Sequence, residues 1–166
     1  MQERLKIAVF HDLPSGGAKR ALYQYCSCLS SGGHILDAFV PETADENYLP
    51  LDDMVTRKLI YPVDSKRILK RLTEKSNILV RFLAFHMDLY YRNRCQKEIA
   101  DDINKGDYDI AFVHHSAYTQ SPFLLRYLSV PSVYFRPGLV IVADRENVRE
   151  KYFLQQIARD YGVKLA

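Results

Sequence analysis

The N-terminal part of the chain changes from a continuous apolar run to a helical pattern, which indicates a strand followed by a helix. The run at residues 7–10 is typical of a strand that is buried on both faces of a parallel sheet. A Pro-Ser-Gly-Gly loop follows at residues 14–17, and apolar side chains then recur at spacings of three and four, at Leu22, Tyr25, Cys26 and Leu29. This spacing predicts one face of a helix that begins at the glycines and ends at residues 30–33, Ser-Ser-Gly-Gly.

Four further strands are predicted from short apolar runs that are bounded by turn residues. They cover residues 34–40, 55–63, 109–114 and 132–135. The stretch at residues 42–53 is acidic and has no period, so we interpret it as a loop.

Helical patterns separate the later strands. One begins near residue 66, and a second follows a break near residues 76–77 and carries an apolar stripe at Tyr91, Cys95, Ile99 and Ile103. Pro122 predicts the first turn of a helix that reaches about Leu128, and residues 145–161 form a last helical pattern. The alternation predicts one α/β domain over residues 1–166, a Rossmann-like parallel sheet of about five or more strands with helices on both faces.

Composition agrees with a soluble globular domain, because 48% of the 166 residues are apolar and 26% are charged. The net charge of +3 is too small to indicate nucleic acid as a partner. Cys26, Cys28 and Cys95 lack metal-ligand spacing, so we expect free thiols in a reducing, cytoplasmic compartment. The early first strand leaves no room for a signal peptide, and no apolar run approaches the roughly 20 residues of a membrane-spanning helix.

The loop at Gly16 and Gly17 carries the first candidate chemistry. A helix that starts at glycine leaves its first N–H groups unpaired and open to close approach, which favours an anion such as phosphate. Glycines are also common between a strand and a helix simply because tight turns need them, and both interpretations stay open. The dinucleotide fingerprint Gly-x-Gly-x-x-Gly and the Gly-Lys-Ser/Thr phosphate loop are both absent.

Polar residues follow three of the predicted strands. They are His11 with Asp12, His114 with His115 and Ser116, and Arg136. In open parallel sheets ligands bind outside the carboxyl ends of the strands, so these groups converge where a ligand is expected. A histidine at a strand end is also a common structural hydrogen-bonding residue, and this alternative stays open.

The segment between Arg57 and Arg94 is basic, with ten Lys or Arg against three acidic residues. Its basic helix carries Lys66, Arg67, Lys70 and Arg71, and the apolar start of the next helix follows. Basic and exposed apolar side chains together favour an anionic membrane surface or an anionic lipid-linked substrate. A solvated helix face is the alternative.

The sequence resembles glycosyltransferase family 4, whose members have the two-domain GT-B fold. The resemblance rests on Phe-His-Asp-Leu-Pro-Ser-Gly-Gly-Ala-Lys-Arg-Ala at residues 10–21 and on Asp-Ile-Ala-Phe-Val-His at residues 109–114. It covers nearly the whole chain as the N-terminal, acceptor-side domain of that family. It implies a retaining, hexosyltransferase-type enzyme that uses a nucleotide-diphosphate sugar and a glycan, lipid-linked or small-molecule acceptor, and it implies no metal or other cofactor.

The resemblance also implies roles for particular residues. The amides at Gly16 and Gly17 would approach the donor diphosphate, and His114 would be the catalytic histidine that hydrogen-bonds the transferred sugar or the acceptor. Lys19 and Arg20 would contact an anionic acceptor. Further substrate contacts are expected from the residues at the strand ends, namely His11, His115 and Arg136.

The second, nucleotide-sugar-binding domain of that family has no counterpart in this sequence. Only 28 residues follow Gly138, and no Glu-x-x-x-x-x-x-x-Glu motif occurs there. We therefore expect a fragment or one half of a split enzyme, inactive alone, in the cytoplasm or on the inner face of the membrane. The alternative is a non-catalytic Rossmann-like module that docks on anionic lipid or on a partner subunit. A nicotinamide-dependent oxidoreductase is disfavoured, because the fingerprint is absent and Asp37 lies inside the second strand.

Overall fold

The computed structural model describes residues 4–63, 78–116, 118–119 and 121–135. The chain forms a strand and a helix, two strands, a long helix, a strand, a short 3₁₀ helix and a last strand. In order these are β1 (Lys6–Asp12), α1 (Gly17–Ser31), β2 (Ile35–Pro41), β3 (Arg57–Tyr61), α2 (Ile78–Lys105), β4 (Ile110–Ser116), the 3₁₀ helix (Phe123–Arg126) and β5 (Ser132–Phe135).

Within the described residues the strands form one five-stranded sheet in the order β3-β2-β1-β4-β5. Every neighbouring pair is parallel. The predicted α/β, Rossmann-like fold is therefore confirmed. The chain moves outward from β1 in both directions, so the strand order reverses at β1, and a crevice is expected there at the carboxyl ends of the strands.

The two faces of the sheet bury separate apolar clusters because side chains alternate along each strand. On one face Ile7 and Val9 of β1 pack with Leu22 and Cys26 of α1. Leu29 also packs against this cluster, whereas Tyr25 is exposed and contacts the rings of Phe112 and Phe135 edge-on.

On the other face the predicted stripe of α2 covers the sheet. Cys95, Ile99 and Ile103 are buried against Ala8 and Phe10 of β1. The 3₁₀ helix adds Leu124 to the same cluster. Helices therefore lie on both faces, as the sequence predicts.

The helix predicted from Pro122 to about Leu128 is wrong in type and length, because only a four-residue 3₁₀ helix forms there. Pro122 has extended backbone angles, and Pro131 disfavours helical angles in the residue before it, so little chain is left for a regular helix. Strand β4 is longer than expected and includes His115 and Ser116, which the sequence places in a loop.

Several predictions fall outside the described residues. They are the basic helix with Lys66, Arg67, Lys70 and Arg71, the helix break at residues 76–77, Arg136 and the helix at residues 145–161. All three cysteines are free, as expected. Among the helices that the structure describes, none combines the length and the apolar character needed to cross a bilayer.

Candidate functional site

The carboxyl ends of β1 and β4 lie side by side at the point where the strand order reverses. Phe10 pairs with Val113 and Asp12 with Ser116, and the register is irregular between these two pairs. His11 and His114 therefore end neighbouring strands at the same edge of the sheet. Both imidazoles are fully buried.

The turn after β1 presents backbone N–H groups at the same edge. Gly16 has φ 140° and ψ −167°, a conformation that is essentially restricted to glycine, and Gly17 is the first residue of α1. The first helical hydrogen bond runs from Arg20 N to Gly16 O, and no side chain caps the helix. Nothing lies within 4 Å of a Cβ added at either glycine. The start of α1 is thus uncapped by side chains and has open space at both glycines, which leaves room for the close approach of another group.

Lys19, in the first turn of α1, points into the protein. Its side chain is fully buried, and its Nζ lies 2.7 Å from Glu46 Oε1 and 3.1 Å from His11 Nε2. Glu46 Oε1 is also 3.2 Å from His11 Nε2. Glu46 therefore neutralises Lys19, while Arg20, the neighbouring basic residue, is exposed and donates to the hydroxyl of Tyr48 over 3.3 Å.

The charges in this cluster follow from burial and pairing. Burial alone would raise the pKa of Glu46, but hydrogen bonds from His11 and Lys19 outweigh it and hold the pKa at about 2. Burial lowers the pKa of His11, although the contact with Glu46 opposes this effect. At neutral pH the cluster contains an ionised Glu46 and a neutral His11. A second cation, Lys58, lies 3.3 Å from Glu46 Oε2.

His114 has a simpler environment. Its Nδ1 lies 2.8 Å from Nδ1 of His115, and its ring packs 5.2 Å from the ring of Phe135. The pKa of His114 is lowered to about 4, mainly by burial, with smaller contributions in the same direction from the charges of His115 and His11, while a hydrogen bond with the backbone of His115 opposes them. Its Nε2 has no hydrogen-bond partner, and neither has Nδ1 of His11. Two neutral imidazoles at this edge therefore each keep one unused polar atom.

The loop between β2 and β3 is held against the glycine turn. Thr43 Oγ1 donates to Asp12 Oδ1 over 2.8 Å, and Asp45 N donates to Leu13 O over 2.9 Å. Glu46 adds its contact with Lys19. This loop therefore forms one wall of the site.

On the α2 side, Arg92 ties the helix to the end of β1. Its guanidinium lies 2.8 Å from Asp88 Oδ2, 3.3 Å from Asp12 Oδ2 and 4.2 Å from the ring centre of Tyr118. Asp12 is thus occupied by Arg92 and Thr43. Asp37, inside β2, is held by Arg57 and Tyr108 over 2.7 and 2.6 Å, well away from the carboxyl end of its strand.

Sequence analysis missed Glu46 and Arg92. Arg92 lies four residues after Asp88, a spacing at which acidic and basic side chains pair on a helix, so this contact had a detectable signal. Glu46 lies in a loop without periodicity and had none. The structure brings Gly16, Gly17, His11, His114 and His115 to one edge, as expected, places Lys19 in the interior, and does not describe Arg136.

Comparisons with known proteins add no assignment. No protein-family model matches the chain, and no curated protein matches it. In the part of the chain that the structure describes, no group of three or more His, Cys, Asp or Glu side chains is arranged to hold a metal ion.

Proposed function

We propose that the chain is the acceptor-side domain of a retaining glycosyltransferase with the GT-B fold, which moves a hexose from a nucleotide-diphosphate sugar to a glycan, lipid-linked or small-molecule acceptor. One observation carries the proposal. The open N–H groups at Gly17 and the imidazole of His114 lie at the same edge of the sheet, on either side of the point where the strand order reverses.

The two groups suit different parts of such a reaction. Cleavage of the bond to a diphosphate concentrates negative charge on the leaving group, which preorganised N–H donors at a helix start stabilise. Arg20 is exposed beside these donors, whereas the charge of Lys19 is compensated by Glu46. His114 is neutral at pH 7, so it contributes a hydrogen bond to a sugar hydroxyl rather than a charge.

The burial of His114 adds a condition. A sugar reaches Nε2 only after the side chains over the imidazole move aside. Closure of a second domain over the crevice commonly reorganises such a site and excludes water. In this proposal the isolated chain binds the anionic group weakly and does not transfer sugar.

Anion binding can be tested on the chain itself. Inorganic pyrophosphate should shift the amide NMR signals of Gly17, Ala18 and Lys19, with sodium chloride of equal ionic strength as the control. If millimolar pyrophosphate leaves these signals unchanged, the anion site is rejected.

Transfer is tested in a polypeptide that joins this domain to a nucleotide-sugar-binding domain. His114→Ala should lower turnover at least tenfold while the far-UV circular dichroism stays unchanged. His34→Ala is the matched control, because His34 precedes β2 at the opposite edge of the sheet, where its Nδ1 accepts from Leu5 N. Near-normal turnover of the His114 variant would remove this histidine from the mechanism.

A second candidate function is a module that docks on an anionic membrane, and a specific observation favours it. The first half of α2 exposes large apolar side chains, with Leu79 75% exposed, Leu83 60% and Phe82 46%. These positions share one helix face, and the basic residues at positions 66–75 precede them in the sequence. Docking at the inner face of the membrane is also compatible with a lipid-linked acceptor.

Vesicle sedimentation tests this candidate. The chain should bind vesicles that contain phosphatidylglycerol, and binding should weaken steeply with salt. Leu79→Ser with Leu83→Ser should reduce binding about tenfold or more, whereas Val133→Thr, at an exposed position of β5, should not. No binding at low salt would exclude a membrane role.

A charge-reversal variant tests the basic segment separately. Replacing Lys66, Arg67, Lys70 and Arg71 by Glu should abolish the preference for anionic over zwitterionic vesicles, because each basic residue near such a surface contributes roughly 1 kcal/mol. An unchanged preference would assign the binding to apolar contact alone.

A further inference from the structure

The contact between His114 and His115 determines which nitrogen of His114 is available to a ligand. His114 is fully buried and neutral at pH 7, so one ring nitrogen carries a proton and the other is a bare acceptor. Nδ1 lies 2.8 Å from Nδ1 of His115, a hydrogen-bond distance that requires one proton between the two nitrogens. The proton is bonded to Nδ1 of either His114 or His115. The environment of Nε2 of His114 indicates which of the two carries it.

Nε2 of His114 is buried without a hydrogen-bond partner. A buried N–H group without an acceptor is rare in proteins and costs about 1–3 kcal/mol, whereas a bare acceptor is tolerated more often. The arrangement with the lower cost places the proton of His114 on Nδ1, from which it is donated to His115. Nε2 then keeps its lone pair.

We propose that His115 is a positioning residue, which holds His114 in the Nδ1–H tautomer so that Nε2 accepts a hydrogen bond from a hydroxyl group of the bound sugar. This inference rests on the proposed function for the identity of the ligand. The sequence suggests that His115 contacts the substrate directly. In this proposal His115 instead acts by fixing the tautomer of His114.

The proposal divides the ligand between two chemically different parts of the site. The glycine turn offers only N–H donors, which suit the acceptor oxygens of a diphosphate. A bare Nε2 repels those oxygens and takes a donor instead, and the hydroxyl groups of the transferred hexose are donors that lie next to the diphosphate. The tautomer therefore prevents the diphosphate from occupying the position of the sugar.

The tautomer can be measured directly on the 166-residue chain labelled with ¹⁵N-histidine. Long-range ¹H–¹⁵N correlation spectra at pH 7.5 distinguish a protonated ring nitrogen from a bare one, and His114→Gln assigns the signals. We expect a protonated Nδ1 and a bare Nε2 at His114. A proton on Nε2 in the wild-type chain overturns the proposal.

Two substitutions separate positioning from packing. His115→Phe keeps an aromatic ring but removes the acceptor, so at least half of His114 should change to the Nε2–H form. His115→Asn places an acceptor oxygen close to the position of Nδ1 and should restore the Nδ1–H form. If the tautomer is the same in both variants as in wild type, His115 does not set it.

Two features keep the test decisive. His34→Asn, which removes an imidazole at the opposite edge of the sheet, should leave the His114 signals unchanged. If His115→Phe fails to fold, His115→Ala also removes the acceptor and provides the same comparison with His115→Asn. The readout needs no transferase activity, so a correct tautomer with no sugar transfer would reject the proposed function alone.

Discussion

The two buried histidines at the ends of β1 and β4 occupy opposite kinds of environment. His11 shares its Nε2 with the ammonium of Lys19 and the carboxylate of Glu46, in a cluster that Lys58 extends. His114 has one side-chain hydrogen bond in the described structure, to His115, and aromatic neighbours. Charged side chains contact Nε2 of His11, whereas another imidazole contacts Nδ1 of His114. Within the described part of the chain, each histidine keeps one ring nitrogen without a partner, Nδ1 in His11 and Nε2 in His114.

This difference shows why burial alone does not identify a catalytic residue. Both imidazoles are fully buried, and both have a lowered pKa with burial as the largest cause. Their partners separate them, because Nε2 of His11 contacts the charged side chains of Lys19 and Glu46, whereas Nδ1 of His114 contacts another imidazole. Substitutions of Glu46 and His114 test this comparison, and substitutions of Gly16 and Gly17 test the turn beside it, in decreasing order of expected effect.

The ionic cluster should depend most strongly on Glu46. Glu46→Gln leaves the buried ammonium of Lys19 without its counter-charge, and breaking a buried pair in this way costs roughly 3–5 kcal/mol. Urea unfolding at pH 7, followed by circular dichroism, measures the loss. Glu98→Gln is the control, because Glu98 pairs with Arg94 on the exposed surface of α2 and such pairs contribute about 0.5 kcal/mol.

The loss of stability in the Glu46→Gln variant should also depend on pH. The pKa of Glu46 falls from 4.5 to about 2 on folding, so its stabilising effect is complete above pH 4.5 and is lost as the pH falls towards 2. The wild-type and variant chains should therefore converge in stability at acid pH. Parallel curves would mean that the charge of Glu46 contributes little.

His114 should govern stability in a higher pH range. Its pKa falls from 6.5 to about 4 on folding, so the unfolded chain binds a proton there that the folded chain does not. The stabilising contribution is complete above pH 6.5, and about 2–3 kcal/mol of it is lost by pH 4.5. His114→Gln should remove this loss. His11 titrates in the same direction and stays in both chains, so it cancels from the difference.

The measurement compares the free energy of unfolding of the two chains at pH 7.5 and pH 4.5. The wild-type chain should lose more stability than His114→Gln between these conditions. An equal loss would show that His114 is protonated in the folded chain and is less enclosed than its geometry indicates.

The substitutions in the glycine turn should have the smallest single effects. Gly16→Ala places a Cβ on a backbone with φ 140°, which costs about 1–3 kcal/mol. Gly17 has no positive φ and open space around it, so Gly17→Ala should be neutral or stabilising by up to about 1 kcal/mol. Unfolding experiments on both variants provide the comparison. Equal effects would contradict the role of Gly16 as the residue that sets the turn.

Much of the fold could be predicted because its signals are local. The apolar run of β1, the spacing of Leu22 and Cys26 and the stripe of α2 each correspond to an element of the expected type. Local signals were not enough to predict the segment after Pro122. A 3₁₀ helix forms there instead of a regular helix, because little chain lies between Pro122 and Pro131. Strand β4 continues through His115 to Ser116, residues that the sequence analysis placed in a loop.

The sequence alone determined the class of fold, the glycine turn and the presence of histidines at two strand ends, since these depend on residues that are close together in the chain. Only the tertiary structure decided what each histidine contacts. Glu46 reaches Lys19 across 27 positions, through a loop whose course no periodic pattern specifies. A loop folds where long-range hydrogen bonds and ion pairs hold it, so the side chains that it delivers to a site are known only once the whole domain is assembled.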